Sequence, residues 1–112
     1  MKTIRLIARQ GDIGFIPVME IPIAAKQKVA EKGYLVLANG ETTGHFHGIN
    51  DDGSCALMED PANKDNSFLV VNTDTAIVEH QEHAPITLKK GKYHVVRQVE
   101  WSDAEEPIVV RD

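Results

Sequence analysis

Five histidines occur in the chain, at positions 45, 47, 80, 83 and 94, and four of them form two close pairs. The first pair, His45 and His47, is flanked by Gly44 and Gly48. In an extended strand, side chains two residues apart share a face and lie about 6.5–7 Å apart along the strand. Two imidazoles so placed can bind one metal ion, at about 2.0–2.1 Å per nitrogen if it is zinc. The spacing, with glycines that leave room for an ion or substrate, predicts that His45 and His47 are metal ligands.

The second pair, His80 and His83, is spaced differently. Residues three apart lie on opposite faces of a strand but on one face of a helical turn. The β-type pattern stops at Glu79, and Ala84-Pro85 indicate a loop, so a turn could direct both imidazoles inward. We expect His83 to be the next metal ligand and His80 the one after it.

Acidic residues beside the histidines are candidates for the rest of the site. Glu82 could be a carboxylate ligand, or the acceptor that fixes an imidazole tautomer. If the protein is a metal-dependent enzyme, Glu82 or Glu41 would act as the general base or acid. Glu79 is interpreted as surface charge. Cys55 has no Cys-x-x-Cys partner and lies in an apolar run, so it is interpreted as a buried hydrophobic residue.

Composition limits the class of protein. A chain of 112 residues, 42% hydrophobic and 26% charged, is typical of one soluble globular domain, which we expect to span residues 1–112. A net charge of −5 argues against binding to nucleic acid, which requires a basic face. The single cysteine indicates a reducing compartment, and the absence of a signal sequence or an apolar span of about 18 residues makes the cytoplasm the expected location.

Two features in the first half of the chain bear on how the histidines are positioned. Residues 3–23 form a predicted hairpin through Gln10-Gly11-Asp12, and Pro17 and Pro22 require its second strand to be an edge strand or to contain a bulge. Residues 24–32 are either one short helix or a long polar hairpin.

The strands that carry the histidines are bounded by turn signals. Asn39-Gly40 predicts a tight hairpin turn, after which the first histidine pair runs back as a strand. Later strands are predicted at 68–71 and 75–79, followed by a hairpin turning at Lys89-Lys90-Gly91. Seven to nine short strands with frequent turns predict an all-β fold, either a small β-barrel or a β-sandwich.

The first histidine motif resembles that of the cupin superfamily. Gly40-x4-His45-x-His47 is similar to the first cupin motif, which has one more residue after the glycine, and Lys89-x-Gly91-x2-His94-x3-Gln98 is similar to the second, with its proline and asparagine replaced. The resemblance implies a cupin-like jelly roll and offers His94 as a rival third ligand. Taken alone, His94 is interpreted as a surface or hydrogen-bonded side chain.

The segments 40–47 and 80–101 together are more similar to a small uncharacterised family from bacteria and their phages, with the pattern Gly-Glu-x-Thr-Gly-His-x-His followed by His-x-Glu-His. In that pattern position 94 need not be histidine. The resemblance implies a unit made of two histidine pairs and nearby polar residues, namely His45, His47, His80, His83, Glu41, Glu82, Gln98 and Glu100.

Three functional hypotheses follow. The chain is a metal-dependent enzyme with an open coordination position, a binding or assembly module with a closed structural metal site, or an oligomeric accessory protein whose histidines bind nothing. Zinc is the first candidate metal, with iron, manganese and nickel as alternatives. The expected partners are a small-molecule ligand and further copies of the chain, and neither a membrane nor nucleic acid is expected.

Overall fold

The computed structural model describes residues 3–5, 7–39, 44–97 and 109–111. All regular structure in these residues is β-strand, which confirms the all-β class. No helix that could cross a membrane is present among them. The strands are β1 (Thr3–Arg5), β2 (Ala8–Gln10), β3 (Ile13–Val18), β4 (Lys26–Gln27), β5 (Tyr34–Asn39), β6 (Phe46–Asn50), β7 (Cys55–Asp60), β8 (Asn63–Val78), β9 (Ile86–Arg97) and β10 (Val109–Arg111).

An antiparallel six-stranded sheet, in the order β2-β3-β9-β8-β7-β4, forms one layer, and the β5-β6 hairpin forms the other. β1 pairs with β10. Within the described residues β2 and β4 are open edges, so the arrangement is a sandwich and not a closed barrel. Phe15, Leu69 and Tyr93 of the large sheet pack with Leu35 and Ile49 of the hairpin in one core. Burial of these apolar faces is the main stabilising contribution.

The longest element is the β8-β9 hairpin, which replaces several predicted pieces. The predicted break between residues 71 and 75 is a bulge within β8: the pairing moves from Val71 opposite Gly91 to Thr75 opposite Lys89. The predicted hairpin turn at residues 89–91 is wrong, because this segment stays paired and β9 continues through it. The bulge bends the hairpin, as extra residues in one strand do, and its far end carries the loop at residues 79–85.

Pro17 lies within β3, between β2 and β9, although an edge strand or a bulge was predicted. The Phe15 carbonyl accepts a hydrogen bond from the Ile7 amide, on the β2 side, at 2.8 Å. Alternate residues of a strand direct their backbone groups to the same side. The position of the missing Pro17 amide proton therefore faces the side on which pairing with β2 has already ended at Ala8. β3 behaves as an edge strand at this point.

Residues 24–32 are not helical, so the short-helix alternative is wrong. Lys26 and Gln27 pair with β7, and Glu31 pairs with Tyr34 around a two-residue turn. Lys32 (φ 50°) and Gly33 (φ 84°) are both in the left-handed region, as a tight hairpin turn requires.

The link between β5 and β6 is longer than the predicted tight turn. Asn39 pairs with Phe46, so six residues separate the paired positions. Of these, residues 40–43, including Gly40 and Glu41, lie outside the described residues. The prediction of a two-residue turn at Asn39-Gly40 is wrong, and β6 begins one residue after His45.

Candidate functional site

Three segments that are distant in sequence meet at one end of the sandwich. They are the β2-β3 turn at Gly11 and Asp12, the start of β6, and the loop after β8. Two backbone hydrogen bonds attach β6 to the end of β8: the Gly48 amide donates to the Glu79 carbonyl at 2.9 Å, and the Glu79 amide donates to Gly48 at 2.8 Å. The two histidine pairs are thereby brought to neighbouring positions.

The structure groups the four predicted histidines around His80. The ring centroid of His80 is 4.4 Å from that of His47, 4.6 Å from that of His83 and 5.9 Å from that of His45. His47 and His83 are nearly parallel, with centroids 6.1 Å apart. We call these four side chains the histidine cluster.

His47 is the buried member of the cluster, with 1% of its surface exposed, and both of its ring nitrogens have partners. Nδ1 is 2.9 Å from Oε1 of Gln10, and Nε2 is 3.0 Å from Oδ1 of Asp12. The Gln10 amide nitrogen donates to two backbone carbonyls, of Val78 at 3.0 Å and of Ala84 at 2.9 Å. Because carbonyl oxygens only accept, the orientation of the Gln10 amide is fixed, and its Oε1 must accept a proton from His47 Nδ1.

The consequence for His47 Nε2 follows from its protonation state. Burial lowers the pKa of His47 below its ordinary value of 6.5, and the hydrogen bond to Asp12, which acts in the opposite direction, does not compensate. Because Nδ1 carries a proton toward Gln10, Nε2 presents a lone pair to the Asp12 carboxylate when the ring is neutral and an N–H when the ring is charged. Two acceptors this close require a cation between them, either a proton or a metal ion.

The 3.0 Å separation is an ordinary hydrogen-bond distance for a protonated Nε2, and it also suits a metal ion. Two atoms that each bind zinc at about 2.0–2.1 Å lie about 2.9–3.4 Å apart at coordination angles of about 90–110°. Histidines that bind metals usually donate their other ring N–H to an acceptor that fixes the tautomer. Gln10 is such an acceptor for His47.

His83 lies against the β2-β3 turn. A Cβ atom built on Gly11 would be 2.7 Å from His83 Nε2 and 3.3 Å from His47 Cε1, so the turn approaches both rings more closely than any other residue type would permit. Gly11 also has φ +58°, which favours glycine. His83 is otherwise exposed and is carried by the loop.

Glu82 contacts both remaining histidines of the cluster. Its amide donates to His80 Nδ1 at 3.0 Å, which leaves Nε2 as the other functional atom of that ring. Its carboxylate is 2.6 Å from His45 Nδ1. Burial, and then the nearby His83 and His45, lower the pKa of His80. Glu82 therefore orients the cluster, while the other predicted acid or base, Glu41, lies outside the described residues, as do Gln98 and Glu100.

The cluster is not a finished coordination sphere. In the described part of the chain, no three His, Cys, Asp or Glu side chains are placed so that they could hold a metal ion together as they stand. The rings of His47 and His83 are stacked, and their nitrogens do not converge on one point. Metal binding by more than His47 and Asp12 requires rotation of side chains on the loop.

His94 lies away from the cluster. It stacks on Phe68 with ring centroids 4.8 Å apart. Its neighbours Tyr93 and Val95 face the core, so His94 lies on the opposite face of the large sheet. Among the described residues its buried Nε2 has no hydrogen-bond partner. The structure gives His94 no part in the site that the cupin resemblance offered it.

Gln10 and Asp12 are the site residues that sequence reasoning missed. They were interpreted as turn residues, and nothing local in their sequence indicates a partner 35 or 37 residues away. The available signal was one polar residue on each side of a glycine, Gln10 and Asp12 around Gly11, at the turn of a short hairpin.

Searches among curated proteins and among solved structures give no significant match to this chain. A family described as domain of unknown function (DUF8820) matches residues 9–98, a range that contains Gln10, Asp12 and the whole histidine cluster. The chain therefore belongs to the DUF8820 family.

Proposed function

We propose that this chain binds a divalent metal ion at the histidine cluster, with His47 Nε2 and Asp12 as the first two ligands. The observation that carries the proposal is the fixed orientation of Gln10, which makes Nδ1 of His47 the donor and leaves Nε2 directed at a carboxylate 3.0 Å away. His83 and His80 are the next ligands, because their rings are adjacent to that of His47. His45 is held by Glu82 at the rim.

The donor set favours zinc, with iron, manganese and nickel as alternatives, because imidazole and carboxylate suit all of these ions. An ion held by three protein ligands keeps a position for water or for an oxygen-rich small molecule. An ion held there would supply acidification of water, and Glu82, whose carboxylate contacts His45 at the rim, would be the residue to take up the proton. The activity that fits is metal-assisted hydrolysis or small-molecule binding.

Metal analysis tests the proposal directly. The purified chain is expected to carry about one equivalent of a divalent ion, and Asp12→Asn and the double variant His45→Ala/His47→Ala are expected to lose most of it. His94→Gln is the matched control, because His94 lies outside the cluster, and it should keep the ion. Background metal in the wild-type protein after reconstitution with zinc would overturn the proposal.

A second experiment, the metal affinity of a Gln10 variant, tests the role of Gln10. Gln10→Ala removes the acceptor that fixes His47 and should weaken metal affinity by about 10–100-fold, as loss of such partners does. Gln27→Ala, on the exposed strand β4, is the control and should leave affinity unchanged. In the cobalt-substituted protein, azide should change the visible spectrum if a coordination position is open, and a silent spectrum would indicate a closed structural site.

The alternative is an oligomeric accessory protein with a structural metal or none. It is favoured by three strongly exposed apolar residues on the segment around β4: Met19 (88% exposed), Ile23 (104%) and Val29 (82%). Exposed apolar groups of this kind suit contact with further copies of the chain. A cytoplasmic location and a bacterial or phage context belong to both proposals, and the buried, unpaired Cys55 supports the first of these.

A further inference from the structure

A polar cavity of about 360 Å³ lies between β5 and the large sheet. It shares no residue with the histidine cluster. Its polar lining consists of Lys28, Asn39, Glu59, Ser67 and Arg97, and its apolar floor of Val36, Leu37, Ala38 and Val95. Cavities of roughly 300–1,000 Å³ with an apolar floor and a few polar groups are typical small-molecule sites.

The sheet register explains why charged side chains line an interior cavity. Glu59 is opposite Ser67, and Ser67 is opposite Val95, so all three face the same side of the sheet. Val95 is 4% exposed and belongs to the core, which means that Glu59 and Ser67 also point toward the inside of the sandwich. Arg97 is two residues beyond Val95 and shares its face.

Lys28 closes the cavity from the other side. Its amide donates to the Leu57 carbonyl at 2.7 Å, which holds its backbone against β7. Its ammonium is 3.4 Å from the Val36 carbonyl on β5. β5 pairs with β6 along one edge, and the pairing shifts between Val36 and Ala38, so the backbone beside the cavity is irregular.

The charges in this cavity are not matched to one another. Among the described residues no ion pair joins Glu59 to Lys28 or to Arg97, although all three are only partly exposed and line one space. Two cations and one carboxylate give a local positive excess in a chain whose net charge is −5. Partly buried charges that are not neutralised by an opposite charge are costly, and the one contact of the Lys28 ammonium, with the Val36 carbonyl, is long at 3.4 Å. A ligand that supplies the opposite charge removes part of that cost.

We propose that this cavity binds a small carboxylate that also carries a hydrogen-bond donor, of the size of an amino or hydroxy acid. The carboxylate is placed between Lys28 and Arg97, and the amine or hydroxyl donates to Glu59. A short aliphatic chain lies on Val36 and Val95. This site is independent of the proposed metal centre.

Four small probes of similar size separate the contributions in a titration followed by amide NMR. L-alanine has the acid and an amine, L-lactate the acid and a hydroxyl, propionate the acid alone, and ethylamine the amine alone. Alanine and lactate should shift the amides around Val36, Glu59 and Arg97, and propionate should bind roughly tenfold more weakly because it leaves Glu59 without a partner. The stronger of the first two probes identifies the donor.

Variants connect the binding to these side chains. Arg97→Gln and Lys28→Gln should each weaken binding of the better probe by roughly tenfold or more, while Lys92→Gln, the same charge change at an exposed side chain of β9, should not. Glu59→Gln should abolish the advantage over propionate. His45→Ala/His47→Ala should bind the probe normally, which keeps this test separate from that of the metal centre. No shift from any probe at millimolar concentration, or equal binding by all variants, would overturn the proposal.

Discussion

Gly11 shows how narrowly the site is built at the scale of single residues. Its hydrogen atom lies where a Cβ would be 2.7 Å from His83 Nε2, and its φ of +58° belongs to the left-handed region. Asp12 and Gln10, on either side of it, both contact His47. The turn therefore supplies two polar partners and a close approach within three residues.

Comparing Gly11→Ala with Gly33→Ala should separate two effects of an added Cβ: the clash with His83 and the strain of a positive φ. Both glycines have positive φ, but a Cβ at Gly33 would meet nothing within 4 Å. Each variant should lose about 1–2 kcal/mol of unfolding free energy from the strained conformation, measured by urea denaturation. Only Gly11→Ala should also displace His83 and weaken metal binding. Equal metal affinity in the two variants would show that His83 is not positioned by Gly11.

The sequence predicted the histidines of the site but not how His47 is protonated. Residue type and spacing indicated all four members of the histidine cluster, because paired histidines have few structural explanations. The tautomer of His47 was not predictable, since it depends on Gln10, whose hydrogen bonds reach Val78 and Ala84, 68 and 74 residues further along the chain. No local pattern encodes such a contact.

At the scale of elements, the bent β8-β9 hairpin positions the loop of the cluster. Beyond the bulge the side chains of β8 alternate: Ala76 and Val78 face the core, while Ile77 is 54% exposed. The alternation leaves Glu79 exposed and turns His80, two residues after Val78, toward the inner side, while the Glu79 backbone pairs with Gly48 of β6.

Adjacent substitutions in β8 test this register. Val78→Ala should cost about 2 kcal/mol of unfolding free energy, because Val78 is fully buried and its loss leaves a cavity. Ile77→Ala should cost less than about 1 kcal/mol, because the side chain is more than half exposed. Urea denaturation of the two variants measures both values, and a larger loss at Ile77 would contradict the observed facing.

The sequence predicted the elements correctly where the residue types of a segment determine its conformation. It failed where hydrogen bonding to a distant strand determines it. Frequent turn signals and abundant valine, isoleucine and leucine indicated an all-β fold, with a small barrel and a sandwich as the alternatives. Lys89-Lys90-Gly91 has the composition of a turn, but partners on β8 hold it in a strand, and Gly91 adopts φ 155° opposite Val71. The helical tendency of residues 24–32 is likewise overridden by pairing of Lys26 and Gln27 with β7.

At the scale of the whole molecule, three histidines connect stability to pH. Burial is the main cause that lowers the pKa of His47, His80 and His94 below the ordinary value of 6.5. His94 is the simplest case, because burial beside Phe68 is its single cause. In the unfolded chain these groups take up protons near pH about 6.5, whereas in the folded chain they do so only at lower pH.

The unfolded state thus binds more protons below pH about 6.5, and unfolding free energy should fall as pH decreases from that value. Above it, these histidines should contribute no pH dependence. Urea denaturation with a chelator present, across this range, measures the effect. His94→Phe, which keeps a ring against Phe68, should show a shallower decline than the wild-type protein. A gain in stability on acidification would contradict the assignment.

The two hydrogen bonds of Gln10 also fix the order in which the protein can become functional. They join a residue near the start of the chain to Val78 and Ala84, so the cluster cannot exist until the intervening segments have folded. Closing loops of this length costs entropy before any of these bonds forms, and contacts of this kind form slowly. During synthesis, a ribosome must release the chain beyond residue 84 before His47 acquires its Gln10-fixed tautomer. Metal loading is then a step that follows folding, and a metal ion can select only chains that have completed it.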